Sequence, residues 1–480
     1  MNVMSCSPRA VRTCRLAMAD IAIAGAMLLL SGCDVAPARI DRAANLPPIP
    51  QRWTEAVPAG NGPLAQWWRG FGDPTLVELI ATALKASTDI GVAQANLRQA
   101  RAARAEAAAA LWPSVSASLG AQRTSGAPSS FSGNLFDAGL DASWELDLFG
   151  ATRRGVAAQE ALARSSAATL AAVQVSVAAE VALDYLDLRS AQARAAVARE
   201  NLASQQETLQ ISRWRQQAGL ATSVEVEQAV TAVEQTRAQV PVLQAAAARD
   251  AHALATLTGQ TQSALAARLS APAPLPQPGA ALAVAIPADV LRQRPDILAA
   301  EQQLRAAAER VAQANAQWRP AATMAASLAW SGTTLGAIGS AAAARSLLAS
   351  IAQPVFDGGL RDAQLAAREA QFSAAQENYR AGVLTALQEV EDALVAIATA
   401  REREAALRRA LGAARNAALL ATQRHASGLI DFQVVLETQR TLLNVQDSVV
   451  AAQAELAADH VRLYKALGGG WRRPGEEDAS

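Results

Sequence analysis

The sequence is nearly empty of the residues that carry chemistry. Its 480 residues include three cysteines, three histidines and three tyrosines, and lysine occurs at Lys85 and Lys465 alone. Cys6 and Cys14 fall in a leader-like start, leaving Cys33 for the rest of the chain, so no intrachain disulfide can form and stability must come from packing or assembly. His252, His425 and His460 lie on separate helical stretches without metal-ligand spacing; neither a metal site nor a cofactor is expected. There is no Gly-x-x-x-x-Gly-Lys loop to cradle a nucleotide and no cysteine placed as a nucleophile, which argues against an enzyme. Excess charge is missing too. The 43 basic and 43 acidic residues cancel, so no nucleic-acid partner is implied. Aromatics make up 4% while hydrophobics reach 51%, so alanine supplies much of the apolar share and favours helix.

The start of the chain reads as a leader. Arg9, Arg12 and Arg15 precede an apolar run from Ile21 to Leu30 that is too short to cross a bilayer, the pattern of a signal peptide over residues 1–32. The run ends in Leu30-Ser31-Gly32-Cys33, which is similar to a bacterial lipobox, so Cys33 is the candidate for acylation. The alternative is an ordinary signal peptide with a chance cysteine. Asp34 resembles an inner-membrane retention signal of some bacteria, which leaves the sorting of the anchor open.

An internal repeat organises the remainder. Asp89, Leu97, Pro113 and Phe149 recur 207 residues later as Asp296, Leu304, Pro320 and Phe356. Glu180, Gly219 and Gly259 recur 209 residues later as Glu389, Gly428 and Gly468, so a two-residue insertion separates the blocks. The chain is a tandem duplication. Repeat 1 covers residues 73–260 and repeat 2 residues 289–470. An N-terminal segment at 33–72, a Pro-rich linker at 261–288 and a charged tail at 471–480, expected to be disordered, lie outside them.

Each repeat predicts a helix, two strands, a long helix, a Gly-Leu turn and a returning helix. The first helix, about 74–111, opens at Asp73-Pro74, an N-cap followed by proline at the first helical position. Over 136–148 the period changes to two. Phe136, Ala138, Leu140, Ala142, Trp144, Leu146 and Leu148 alternate with Asp137, Gly139, Asp141, Ser143, Glu145 and Asp147, a strand with one apolar and one acidic face. Its hairpin partner is 114–122, and the second repeat offers 322–330 with 346–355. The helices 150–217 and 360–426 contain no proline. At about 1.5 Å per residue each would reach about 100 Å. They return as 222–258 and 431–467. Leu387, Val390, Leu394 and Ile397, and again Leu442, Val445, Val449 and Leu456, keep the three-four spacing of coiled-coil packing.

Four stretches carry a resemblance: Trp67–Leu84, Trp144–Gly150 (WELDLFG), Arg294–Ala306 and Gln353–Leu360 (QPVFDGGL). In this order, with the duplication and the lipobox-like cysteine, the chain resembles the TolC family from about Cys33 to Trp471, in the lipoprotein branch serving resistance-nodulation-division efflux systems. The resemblance implies a mainly α fold with a small transmembrane β part. It further implies a homotrimer whose barrel sits in outer-membrane lipid, working with a periplasmic adaptor (membrane fusion) protein and an inner-membrane resistance-nodulation-division transporter.

Site residues follow from the same resemblance. Gly219, Leu220, Gly428 and Leu429 match the family's periplasmic tip, where the adaptor is met. Glu225 and Glu437 match gate acids, with ordinary exposed helix glutamates as the alternative, and Arg213 and Arg424 are candidates to pair with them. Asp137, Asp141, Glu145 and Asp147 would face the barrel lumen. Trp112, Trp144, Trp318 and Trp330 are candidates for the membrane interface, or for packing beside the strands. The implied function is a passive exit duct for drugs or other small molecules. Two alternatives stay open: a duct of the same type for type I protein secretion, and a structural coiled-coil lipoprotein of the envelope.

Overall fold

The computed structural model describes residue 53 and residues 64–125, 133–271, 273–279, 293–338 and 342–471. The leader, Cys33, Asp34, most of the 33–72 segment and nearly all of the 471–480 tail lie outside these residues.

After a 3-10 segment at Leu64–Phe71, the first repeat forms helix α1 (Pro74–Ala86), α2 (Thr88–Ala109), strands β1 (Ser114–Thr124) and β2 (Gly133–Leu146), and helices α3 (Ala151–Gln217) and α4 (Ser223–Thr258). Helix α5 (Gln262–Leu269) follows. The second repeat forms α6 (Pro295–Ala316), β3 (Ala321–Gly332), a single turn α7 (Leu335–Ile338), β4 (Ala344–Ala352), α8 (Leu360–Ala426) and α9 (Phe432–Ala466). The duplication is nearly to the residue: α2 and α6 both have 22 residues, and α3 and α8 both have 67.

Three features depart from the sequence reading. The helix expected over 74–111 is two helices, parted at Ser87, which is extended at φ −60°, ψ 131° and closes α1 through its N–H to the Ala83 carbonyl. The run Ser87-Thr88-Asp89 explains the break, because short polar side chains compete with the helical backbone. The connector expected to be extended opens with α5, which buries Leu265 and Leu269 before the first proline of the Pro-rich run. The second strand ends at Leu146 rather than Leu148, because Asp147 turns to the start of α3. By contrast α8 runs unbroken through Gly382 and Gly412.

The chain divides into two compact units, and neither corresponds to a single repeat. Of the described residues, one gathers those within 97–165 and 300–379; the other gathers those within 64–96, 166–299 and 380–471. The first contains the sheet, an antiparallel meander in the order β1-β2-β3-β4, with β1 and β4 at its edges.

The second unit is a helical body with an apolar interior. Leu76, Leu79 and Ile80 of α1, Tyr185 and Leu186 of α3, and Leu254 of α4 are each at most 1% exposed. Polar links hold its corners. Asp73 caps α1 through the N–H groups of Thr75 and Leu76, and its other oxygen accepts from the Tyr185 hydroxyl at 2.7 Å. Arg189 donates to Tyr185 and to the Ala271 carbonyl, tying the connector down. Arg294, nearly buried, reaches Asp296 at 2.7 Å, Glu389 at 2.8 Å and the Ala466 carbonyl at 2.6 Å. Losing either partner would leave a buried charge partly uncompensated.

Candidate channel surfaces: the sheet and the helical tips

The register of the sheet sorts its side chains into two faces. Across the four strands, Ser116, Asp141, Ser327 and Ser346 form one row, and Glu145, Thr323 and Ser350 form another. The hydroxyls of Ser327 and Ser346, and of Thr323 and Ser350, meet at 2.7 Å, as residues on one face should. Asp137 lies opposite Gly120 and Ser331 on this polar face. A Cβ on Gly120 would fall on the Asp137 carboxylate, so the glycine leaves that acid its space.

The other face carries Val115, Leu119, Leu140, Leu328, Leu347 and Ile351. Val115, Leu119, Leu347 and Ile351 are each 69–76% exposed. The pattern is broken at the far ends of β1 and β2 and in β4: Arg123, Asn134 and Arg345 stand on the apolar face, and Leu135 and Leu348 on the polar one. Among the described residues nothing covers Val115, Leu119, Leu347 and Ile351, and no strand pairs with the outward edges of β1 and β4. Such a sheet is unstable in water and needs both an apolar medium and a partner for its edges.

Of the acids assigned to a lumen, Asp137, Asp141 and Glu145 share the polar face, and Asp147 does not. Its carboxylate accepts from the N–H groups of Thr152 at 3.1 Å and Arg153 at 2.8 Å and pairs with the Arg153 guanidinium. It anchors the first turn of α3, where free amides and the helix dipole favour an anion. Among the tryptophans, Trp144 donates its indole N–H to the Leu111 carbonyl at 3.0 Å, a packing role, whereas Trp112 is 74% exposed.

In the helical unit, α3 and α8 end in the same way. Gly219 at φ +71° lets its N–H reach Gln216 and the Leu220 N–H reach the Arg215 carbonyl. Gly428 at φ +73° repeats this with His425 and Arg424. Both are Schellman closures, in which a left-handed glycine satisfies the last carbonyls of the helix. Leu220 and Leu429, the residues after the glycines, are 70% and 72% exposed. Below the turns the four helices enclose a small apolar core of Leu209, Val226, Val233, Ala421, Phe432 and Val435.

The two gate acids find different surroundings. Glu225 forms a capping box with Thr222: the Glu225 N–H donates to the Thr222 hydroxyl, and the Thr222 N–H donates back to the Glu225 carboxylate, both at 3.3 Å. That carboxylate is occupied in starting α4. Glu437 is solvated, 3.7 Å from Arg440 with both side chains about two-thirds exposed, an arrangement worth under about 1 kcal/mol. Thr222-x-x-Glu225 is a readable sequence signature of a cap. No sequence signal marks the contact that stands where Arg213 and Arg424 were candidates. Arg215 donates to His425 at 2.9 Å, across 210 residues, and His425 meets the Ile430 carbonyl at 3.1 Å.

A four-stranded sheet greasy on one side, interleaved by duplication with two long helical hairpins, defines an outer-membrane channel subunit. Known proteins agree. The profile of the outer membrane efflux protein family matches residues 79–260 and 286–469. The chain is 33% identical to the pyoverdine export outer membrane protein OpmQ of Pseudomonas aeruginosa, over 95% of this chain and 98% of that one. It is 31% identical to nodulation protein T of Rhizobium leguminosarum bv. viciae, over 93% and 92%. Among solved structures, the outer-membrane channel OprN superposes with a TM-score of 0.80 at 37% identity, covering 91% of this chain and 97% of that one. The chain belongs to the outer membrane efflux protein family, and it is an outer-membrane channel of an efflux system.

Proposed function

We propose that this chain is the passive exit duct of a tripartite pump, assembled as a homotrimer. It would receive drugs or other small organic molecules from an inner-membrane resistance-nodulation-division transporter through a periplasmic adaptor. The duct itself performs no reaction; the transporter supplies the energy. Relatives named for pyoverdine and toluene efflux support a small-molecule cargo rather than a protein one.

The observation that carries the reading is the sheet, with its exposed apolar face and two unpartnered edges. Lipid accepts the face, and further copies accept the edges. Asp137, Asp141 and Glu145 then line the water-filled interior. Gly219, Leu220, Gly428 and Leu429 form the adaptor-facing end, and Glu437 rings the entrance. Cys33 carries the lipid anchor, with Asp34 open to a sorting role.

The duplication also narrows the register between copies. Within the chain, Ser143 of β2 faces Ala325 of β3. Moving each by the 207-residue repeat offset places Ser350 of one copy near Ser118 of the next, to within the two-residue step by which the β3-β4 register (Ala321 with Ala352) departs from that of β1-β2 (Ser114 with Ser143). The test is cysteine crosslinking in membranes, with Ser118→Cys and Ser350→Cys combined. Disulfide-linked trimers on non-reducing gels are expected with Ser118→Cys or with Ser116→Cys in its place. Absence of intermolecular linkage in every register, with a monomer on native gels, would overturn the assembly. Palmitate labelling lost in Cys33→Ala tests the anchor.

A further inference from the structure

Four residues on α3 recur every seventh position and each bonds the other repeat. Arg194 forms a two-pronged pair with Asp447 at 2.7 and 2.9 Å, and Asn201 donates to Gln446 at 2.7 Å. Thr208 accepts from Gln439 at 3.0 Å, and Arg215 donates to His425 at 2.9 Å. A seven-residue spacing keeps one face of a long helix turned to one neighbour. The seam between the two hairpins is therefore a ladder of polar rungs, and it ends beside the turns. Paired polar groups set register and separate at less cost than a continuous apolar contact, because each can be hydrated when parted.

Only the last of these four rungs depends on an imidazole. A guanidinium can donate and cannot accept, so Nε2 of His425 must be the acceptor, and Nδ1–H donates to the Ile430 carbonyl. That fixes a neutral ring. Adding a proton at Nε2 removes the acceptor and sets two cations 2.9 Å apart. The ring also lies against Phe432, with centroids 5.4 Å apart, so its release disturbs the apolar core under the turns. The charged groups at this end of the four helices are Arg213 and Arg215 on α3, Glu225 and Glu227 on α4, and Arg424 on α8. Asp431 and Glu437 stand at the start of α9. Arg215 is the one bonded to the ring among the described contacts, and Glu225 is engaged by Thr222. Among the described residues no carboxylate bonds the ring to hold it in place once protonated.

We infer that His425 is a proton-released fastening between the two hairpins, which loosens the periplasmic end of the channel under mild acid. This rests on the channel reading, in which that end is the constriction. A second histidine, His460, is also acid-sensitive in principle, since it accepts from Arg401 and donates to the Leu456 carbonyl. It lies 35 residues away in sequence and is buried, so a readout local to the turns separates the two.

Spin labels at Ala218→Cys and Ser427→Cys in the full-length protein report the spacing of the two turns. Acidifying from about pH 8 to about pH 5 spans the imidazole range, and should broaden the distance distribution. His425→Gln, whose amide can still accept from Arg215 and donate to Ile430, should lose that response and stay narrow at both values. His425→Lys, always charged, should be broad at both. A response retained in His425→Gln, or absent from the unmodified protein, overturns the inference. Conductance in planar bilayers, recorded on the same variants, isolates the underlying reading. Channels that conduct without a pH-dependent change at the turns sink the fastening alone, whereas protein that never conducts sinks the channel.

Discussion

The two turns at the ends of α3 and α8 share a backbone and differ in how they are fastened. Both close on a left-handed glycine followed by an exposed leucine. After Gly219 the next helix is started by a reciprocal cap, Thr222 with Glu225. After Gly428 the N-cap residue Asp431 makes no side-chain capping bond, and the turn is braced from behind by His425. Duplication thus preserved the shape that the backbone demands and left the side-chain bracing free to diverge. One turn is secured locally. The other lacks that cap, and the Arg215–His425 bond ties the two together.

The largest expected effect breaks what the two share. Gly219→Val or Gly428→Val forces a β-branched residue to φ near +70°, where each L-residue costs about 1–2 kcal/mol, and disturbs two closing hydrogen bonds. Either variant should abolish complementation of drug sensitivity in a deletion strain while band-shifted trimer persists on gels. Full complementation by both would show that the turns do not matter. A second effect separates the pair. Thr222→Ala removes a working cap and should cost about 1 kcal/mol in urea unfolding, whereas Asp431→Ala should be nearly neutral; equal losses would mean that both turns are capped alike.

A pH effect sits in the long helix that feeds the first turn. Burial, then Glu180, Asp250 and Asp187, push the Asp184 carboxyl up to about 6. A carboxyl raised in the folded state opposes folding once it is ionised, so its cost grows as pH rises from the unfolded value of 3.8 through about 6. Asp184→Asn should therefore stabilise at neutral pH, with the gain vanishing below about pH 4; a gain independent of pH would assign the effect to packing. The smallest expected change is at Glu437. Glu437→Gln should lower cation preference in single-channel recordings with little effect on stability, since its pair with Arg440 is exposed.

Much of the architecture was readable because it rests on periodicity. The duplication, the strand alternation around Phe136 to Leu146 and the two long proline-free helices are all patterns of backbone and apolar spacing. What was not readable depends on local competition or on contacts distant in sequence. Ser87 splits a helix because a short polar run outweighs the surrounding helix formers. α5 forms inside a stretch whose prolines suggested extension, because its own eight residues contain none. Asp147 continues the alternation by residue type, yet the amides opening α3 claim it. The arginines singled out near the turns were Arg213 and Arg424, and the one that bonds across is Arg215. Two residues along a helix turn a side chain to the opposite side, which spacing to a neighbouring glycine cannot reveal. Glu225, matched to a gate acid, was announced as a cap by Thr222 three residues before it.

Trp67 lies flat on Tyr464, with ring centroids 5.4 Å apart and planes inclined by 1°, and the Gly470 N–H donates to the Leu64 carbonyl at 3.0 Å. A growing polypeptide has made residue 67 about four hundred residues before residue 464 exists. The clasp therefore cannot close until nearly the whole chain has been made, and before that Trp67 has only its neighbours Trp68 and Phe71 to pack on. Completion of the helical body therefore waits for the last helix of the chain.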